Sequence, residues 1–246
     1  MNILIDGKSC ECKKGELLRE VARRNGVTIP GLCHHAGLSG QGCCRVCVVE
    51  VTEHGSRKIV VSCVYPIAGE CEVSTKSEKV REQRALILAL LAKRAPLSAE
   101  IAALAKAYAA PELPRLHALP EGKCVMCGLC ARACKELGTG AISTVNRGID
   151  KEIATPYNEP SPACIGCGSC AAVCPTKAIE VTETAACRII WNKEFALTFC
   201  AECGALLGTA EEAAYAAHKA GLKASGLCDK CRQKKITSEL AKTYGL

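Results

Sequence analysis

Apolar and polar positions alternate from Met1 to Ile5 as they do in a β-strand, Asp6-Gly7 carries a turn signal, and Lys8 to Cys12 supplies a second short strand. From Glu16 the period changes. Leu17, Leu18, Val21 and Ala22 fall on one helical stripe that ends near Asn25-Gly26. The stretch IPGLCHHAGLSGQGCCRVCVVEV follows, then a polar turn at His54-Gly55 and a strand through KIVVSCVYPI. EKVREQRALILALLAKR and LSAEIAALAKAYAA, parted at Pro96 and closed by Pro111 and Pro114, predict two amphipathic helices, the second with Ser98 as N-cap. On the first of these, Leu86, Ala89 and Leu90 form the apolar side and Leu88 and Leu91 broaden it. That side is expected to pack on the first domain or on another subunit. AISTV and AIEVT read as short strands, Asn146 to Pro162 as a surface excursion, and TAEEAAYAAHKAGL as a helix.

Composition changes the picture through one residue type. The chain has 246 residues, of which 21 are cysteine. It is long enough to bury real cores without a secreted disulfide framework. No secretory leader is read at the N-terminus, and the most apolar stretch, Ala85 to Ala92, is too short to span a bilayer. A soluble protein of the cytoplasm, a reducing compartment, is expected. Aromatic content of 3% leaves little for nucleic-acid stacking, and no nucleic-acid partner is expected. The formal charge of +7 counts every thiol as neutral. Four metal centres of roughly −2 each, formed as ligation deprotonates the thiols, would bring it to roughly −1.

The cysteines fall into spaced groups. Cys33, Cys44, Cys47 and Cys63 are candidate ligands of a two-iron centre, with Gly40 and Gly42 letting the loop curl so that amides can face sulfur. Cys43 is a risk to that register. CVMCGLCARAC (124–134) and CIGCGSCAAVC (164–174) each read C-x2-C-x2-C-x3-C, the run of two-cluster ferredoxins, in which the fourth cysteine serves the other cluster. The expected partition is Cys124, Cys127, Cys130 and Cys174 for the first [4Fe-4S] centre, and Cys164, Cys167, Cys170 and Cys134 for the second. Pro175 follows the second run, whereas Lys135 stands after Cys134. In the tail, Cys200, Cys203, Cys228 and Cys231 form two C-x2-C knuckles twenty-four residues apart. They suit zinc or a further [4Fe-4S] cluster, and the ribbon-like arrangement favours Zn2+. The basic run after Cys231 reads as a solvated face or a subunit contact, His117 as an ordinary surface or packing residue, and His218 as facing solvent. Cys10, Cys12, Cys71 and Cys187, with Cys43, read as buried or surface thiols.

The stretch Ile29 to Ile67, with its four spaced cysteines, resembles the [2Fe-2S] domain of the large iron–sulfur subunit of respiratory complex I. It equally resembles the diaphorase-type subunits of NAD-linked [NiFe] hydrogenases and formate dehydrogenases. The resemblance implies Cys33, Cys44, Cys47 and Cys63 as ligands. Those relatives commonly carry a three-cysteine, one-histidine segment next, which is absent here because residues 76 to 123 hold no cysteine.

The expected architecture is α+β. It comprises a β-grasp, plant-type [2Fe-2S] domain over 1–76, a helical connector over 77–119, a bacterial two-cluster ferredoxin-like domain over 120–186, and a zinc-ribbon-like or iron–sulfur lobe over 187–246. With no glycine-rich dinucleotide motif and no paired nucleophile and base, the chain reads as a non-catalytic electron-transfer subunit. The resemblance implies as partners an FMN- and NAD(P)-binding flavoprotein and a catalytic hydrogenase or formate dehydrogenase-like subunit. Soluble ferredoxin joins them if the complex is electron-bifurcating. The competing readings are a subunit of a formate or aldehyde oxidoreductase and a freestanding polyferredoxin-like carrier.

Overall fold

A computed structural model describes residues 1–223 and 225–245. It divides into two compact units, one of Met1–Arg132 with Val173–Ala178 and one of Ala133–Ala172 with Ile179–Leu246.

The first unit begins with the hairpin of β1 (Asn2–Ile5) and β2 (Lys8–Glu11), turned by Asp6 and Gly7 at positive φ. Helix α1 (Leu18–Arg24) starts after Leu17, which is held in a bridge to Pro66, and buries Leu18, Val21 and Ala22. Strands β3 (Val48–Glu53), β4 (Ser56–Val61) and β5 (Glu72–Ser74) complete a sheet of order β2-β1-β5-β3-β4, in which β1 and β5 run parallel. Ile3, Ile5, Val49, Val51 and Val73 meet the buried face of α1 in one core. KIVVSCVYPI is not strand throughout. It leaves the sheet at Val61 for a 3-10 turn over Ser62–Val64, because Ser62 turns its amide (3.2 Å) and its hydroxyl (2.8 Å) to the Cys47 carbonyl.

Helices α2 (Glu78–Arg94) and α3 (Ala99–Ala107) are capped by Ser77 and Ser98, whose hydroxyls accept from Val80 and Ile101 amides. The buried stripe of α2 differs from the expected one. It runs through Val80, Arg84 and Leu88 with Ala89, leaving Leu86 and Leu90 exposed, because α2 lies against β3 and α3 on that side. A charged residue thus occupies the centre of the buried face. The division between the two units falls inside α4 (Leu129–Leu137).

In the second unit, β6 (Ser143–Val145) pairs with β7 (Glu152–Ala154), so the 146–162 excursion contains a strand of its own and exposes Tyr157 almost fully. The short helix α5 (Ser169–Ala172) follows. AIEVT contributes only Thr182 to a strand, β8 (Thr182–Glu183), whose partner is β9 (Cys187–Ile190). β9, β10 (Lys193–Phe199) and β11 (Leu206–Thr209) extend an antiparallel sheet of order β11-β10-β9-β8. Trp191 and Asn192 make the β9–β10 turn, both in the left-handed region, as a tight two-residue hairpin turn requires. Helix α6 (Ala210–Ala220) is capped by Thr209 and ended by Gly221, and α7 (Asp229–Tyr244) follows with no buried residue.

Candidate metal centres

In the first unit, Cys33 lies in the loop after α1, Cys44 and Cys47 in the loop entering β3, and Cys63 in the 3-10 turn after β4; all four are buried. Their thiols interact. Hydrogen bonds from Cys43, Cys44 and Cys63 pull Cys33 far below the ordinary thiol range, while donating to it pushes Cys63 and Cys44 up. Cys47 is lowered to about 6, first by its hydrogen bond with Cys63. The Leu32 amide donates to Cys44 Sγ at 3.4 Å. Arg45, between Cys44 and Cys47, is held at φ +60°, a conformation that costs a non-glycine residue about 1–3 kcal/mol and turns the loop around the sulfurs. Gly40 is required by space, since a Cβ there would sit 2.8 Å from the Cys63 carbonyl oxygen.

Cys43 is exposed, yet its thiol does not point away from the site. It shares a hydrogen bond with Cys33 and donates to the Cys127 carbonyl at 3.2 Å. Arg132, on α4, donates through Nη2 to the Cys33 carbonyl (2.7 Å) and through Nη1 to the Ser39 carbonyl. The loop carrying Cys33 and the first four-iron run are therefore held together within one unit.

That run brings Cys124, Cys127 and Cys130 together with Cys174, which acts on the charge of all three. Burial raises Cys124, Cys127 (to about 11) and Cys130 (to about 12), so near neutral pH they ionise only where a bound metal supplies positive charge. The Met126 amide donates to Cys124 Sγ at 3.3 Å and the Ala178 amide to Cys174 Sγ at 3.3 Å.

In the second unit, Cys134, Cys164, Cys167 and Cys170 all line one small, mostly apolar pocket, together with Ile142, Ile190 and Trp191. Ala141 donates its amide to Cys134 Sγ at 3.2 Å, and the Trp191 indole donates to Cys170 Sγ at 3.4 Å. The two runs share their backbone. Met126 and Gly166, at equivalent places, both have positive φ, as do Gly128 and Gly168, so each loop turns successive cysteines toward the same side. An apolar cavity with four thiols at its wall and amides aimed at sulfur fits an anionic iron–sulfur group, which needs thiolates and dipoles and excludes bulk water.

Gly166 carries a testable consequence. A Cβ at φ +70° would lie 2.7 Å from Phe195 Cγ, and Phe195 is fully buried. Gly166→Ala is expected to destabilise the second unit by roughly 3 kcal/mol, from strain and overpacking together. Gly168→Ala, which meets only Arg188 Nη1 at 3.9 Å, loses the strain part alone. Denaturant midpoints of the two variants should differ in that order.

The tail quartet is drawn tighter than the others. The sulfurs of Cys200, Cys203, Cys228 and Cys231 all lie within 4.8 Å of one another, and Cys203 and Cys228 are 3.6 Å apart. Among the described residues no other group of three or more potential ligands meets that closeness. Cys200 directly follows β10, Cys203 lies in the turn before β11, and Cys228 and Cys231 straddle the start of α7. The Cys228 amide donates to Cys200 Sγ at 3.3 Å and lowers that thiol to about 6. Cys231, whose thiol donates to its neighbours' sulfurs, Cys203 first, is raised to about 12. A single tetrahedral ion with Zn–S bonds of about 2.3 Å spaces its sulfurs about 3.8 Å apart. The quartet has that scale.

Arg84, Arg132 and Trp191 were not anticipated as site residues. Only Arg84 left a signal, a charge on the i, i+4, i+8 apolar stripe Val80, Arg84, Leu88. His117 and His218 are exposed, and among the remaining cysteines Cys10, Cys12 and Cys71 are buried in the sheet core.

Comparison with known proteins agrees with the resemblance carried by the cysteine spacing. Residues 1–78 match the family described as 2Fe-2S iron-sulfur cluster binding domain, and residues 123–178 match the family described as 4Fe-4S dicluster domain. The NADH-ubiquinone oxidoreductase 75 kDa subunit of Reclinomonas americana is 31% identical over 180 residues, covering 63% of this chain and 26% of that protein. The NADP-reducing hydrogenase subunit HndD of Solidesulfovibrio fructosivorans is 30% identical over 210 residues, covering 73% and 36%. The chain thus spans about a quarter to a third of these curated relatives. Among solved structures, a chain of an NAD+-reducing [NiFe]-hydrogenase in the H2-reduced state superposes with a TM-score of 0.55 at 26% identity, covering 63% of this chain and 74% of that one. No helix among the described residues is long and apolar enough to cross a membrane.

Proposed function

We propose that the chain is an electron-transfer subunit. It relays electrons between an NAD(P)-linked, FMN-bearing flavoprotein and a catalytic metal subunit, a [NiFe] hydrogenase in the first place, within a cytoplasmic complex. In this reading residues 1–76 form a β-grasp [2Fe-2S] domain with Cys33, Cys44, Cys47 and Cys63 as ligands. The two runs hold two [4Fe-4S] centres with the crossed partition, and the tail quartet holds Zn2+. Iron–sulfur clusters bound there would accept and pass on single electrons.

The chain's own part is to space, enclose and orient. One observation carries the reading: the loop with Cys33 and the run with Cys127 are joined by the Arg132 bonds to Cys33 and Ser39 and by the Cys43 thiol on the Cys127 carbonyl. Two candidate centres built on neighbouring backbone suit a conductor better than two independent storage sites. Amides on Cys44, Cys124, Cys134 and Cys174 stabilise negative charge on sulfur, and burial keeps water from it. The similarity to a chain of an NAD+-reducing [NiFe]-hydrogenase supports the choice of partners.

Anaerobic native purification with an affinity tag on this chain tests the proposal. The expected result is copurification of a flavoprotein and a hydrogenase subunit, with iron–sulfur EPR signals that appear on adding NADH or NADPH, or hydrogen, to the complex. A formate- or aldehyde-oxidising subunit in place of the hydrogenase would replace the terminal partner. A stable monomer reduced by soluble ferredoxin but by neither pyridine nucleotide nor hydrogen would overturn the relay reading.

A further inference from the structure

Arg84 is nearly inaccessible, 4% exposed, at the centre of the buried face of α2. Its Nε donates to the Val46 carbonyl at 3.1 Å, Nη2 to the Val48 carbonyl at 2.8 Å and Nη1 to the Thr75 carbonyl at 3.4 Å, and its guanidinium lies 5.3 Å from the centre of the Tyr108 ring. Val46 and Val48 are the two residues that flank Cys47. Among the described residues no carboxylate forms an ion pair with Arg84. Burying a guanidinium away from any anion is costly, and arginine cannot escape by releasing its proton. Carbonyl dipoles and an aromatic face offset part of that cost. The remaining compensation must come from negative charge nearby, and the thiolates gathered around Cys47 are the groups able to provide it.

We propose that Arg84 is a positioning residue of the two-iron site, whose guanidinium fixes the Cys44–Cys47 loop through the carbonyls on either side of Cys47 and supplies the positive charge that favours adding an electron there. The proposal rests on the reading of Cys33, Cys44, Cys47 and Cys63 as ligands. One electron enters on reduction, with no bond made or broken, and the extra negative charge is stabilised by a cation that cannot move away. A purely structural clamp would hold the loop equally in both redox states and leave their balance unchanged.

The test uses the full chain, purified anaerobically with its iron, as wild type, Arg84→Met and Arg84→Lys. The two-iron EPR signal is titrated with dithionite and mediators. At the wild-type midpoint, the ratio of reduced to oxidised centre in Arg84→Met is expected to fall about tenfold, a midpoint about 59 mV lower for a one-electron couple. Arg84→Lys keeps the charge but not the planar fork, so its midpoint should stay close to wild type while it retains less iron. Equal midpoints in wild type and Arg84→Met, or the same drop in both variants, would overturn the proposal. Should Arg84→Met retain no signal, Arg84→Gln, likewise uncharged, takes its place: a tenfold loss there with Arg84→Lys unshifted supports the charge role, and an unshifted midpoint in Arg84→Gln overturns it. Wild type without a two-iron signal would refute the ligand reading, and the proposal with it.

Discussion

Replacing Cys174 with alanine is expected to remove about four of the roughly ten irons that the proposed centres would hold, and to leave the sole tryptophan as dim as before. The thiol belongs by sequence to the second run, but it lies with Cys124, Cys127 and Cys130, and its sulfur is bonded by the amide of Ala178. Cys134→Ala is the mirror experiment. Cys134 shares its cavity with Cys164, Cys167, Cys170 and Trp191, whose indole is bonded to Cys170 Sγ. A light-absorbing iron–sulfur group in that cavity would quench Trp191 by energy transfer. Cys134→Ala should therefore lose the same amount of iron and brighten the fluorescence. Brightening in Cys174→Ala but not in Cys134→Ala would mean that each run completes its own centre, and the crossed partition would be wrong.

The second large effect concerns the tail. Native chain should carry one zinc in addition to its iron, and Cys203→Ser combined with Cys228→Ser should lose the zinc while keeping the iron. The reason lies in what the four sulfurs join. Cys200 and Cys203 belong to the end of β10 and the turn after it, while Cys228 and Cys231 begin α7, a helix without a single buried residue. Burial therefore gives α7 little stability of its own, and a structural zinc ion is worth on the order of 10 kcal/mol of folding free energy in small domains. Amide exchange through α7 should rise to that of an unfolded peptide in the double variant, with the β1 to β5 sheet unaffected. Metal analysis reads both halves of the claim. Roughly fourteen irons and no zinc would make the quartet a fourth redox centre instead.

The candidate ligands are legible in the sequence because iron–sulfur ligation writes itself into local spacing. Three cysteines at steps of three can be recognised without knowing what surrounds them, and so can the paired knuckles of the tail. What surrounds them could not be read the same way. The turn that buries Cys63 depends on Ser62 reaching the Cys47 carbonyl, a contact between residues fifteen apart, and a run of β-branched residues conceals it. The stripe of α2 was misjudged because Leu86 and Leu90 look like core residues by composition, and only the position of β3 shows that Arg84 and Leu88 face inward. β9 and β10 were missed although CRIIWNKEFALTF alternates around a turn. Its turn residues are Trp191 and Asn192 without a glycine, and the usual hairpin signal was therefore lacking. The exposed excursion concealed β7 because three residues are too few to establish a period.

Val173–Ala178 belongs to the same compact unit as Met1–Arg132, with the intervening residues assigned to the other unit. A ribosome delivers residues in order, so the first unit cannot close when Arg132 emerges and must wait for the chain to reach Ala178. At synthesis rates of about 5–20 residues per second the delay is a matter of seconds, during which Cys124, Cys127 and Cys130 stand without Cys174, their proposed fourth partner. A nascent chain stalled or cut within that interval would expose three thiols to oxygen and to stray metal. Premature termination in this stretch should therefore yield a product that is degraded, and no truncation between the two runs should serve as a minimal carrier.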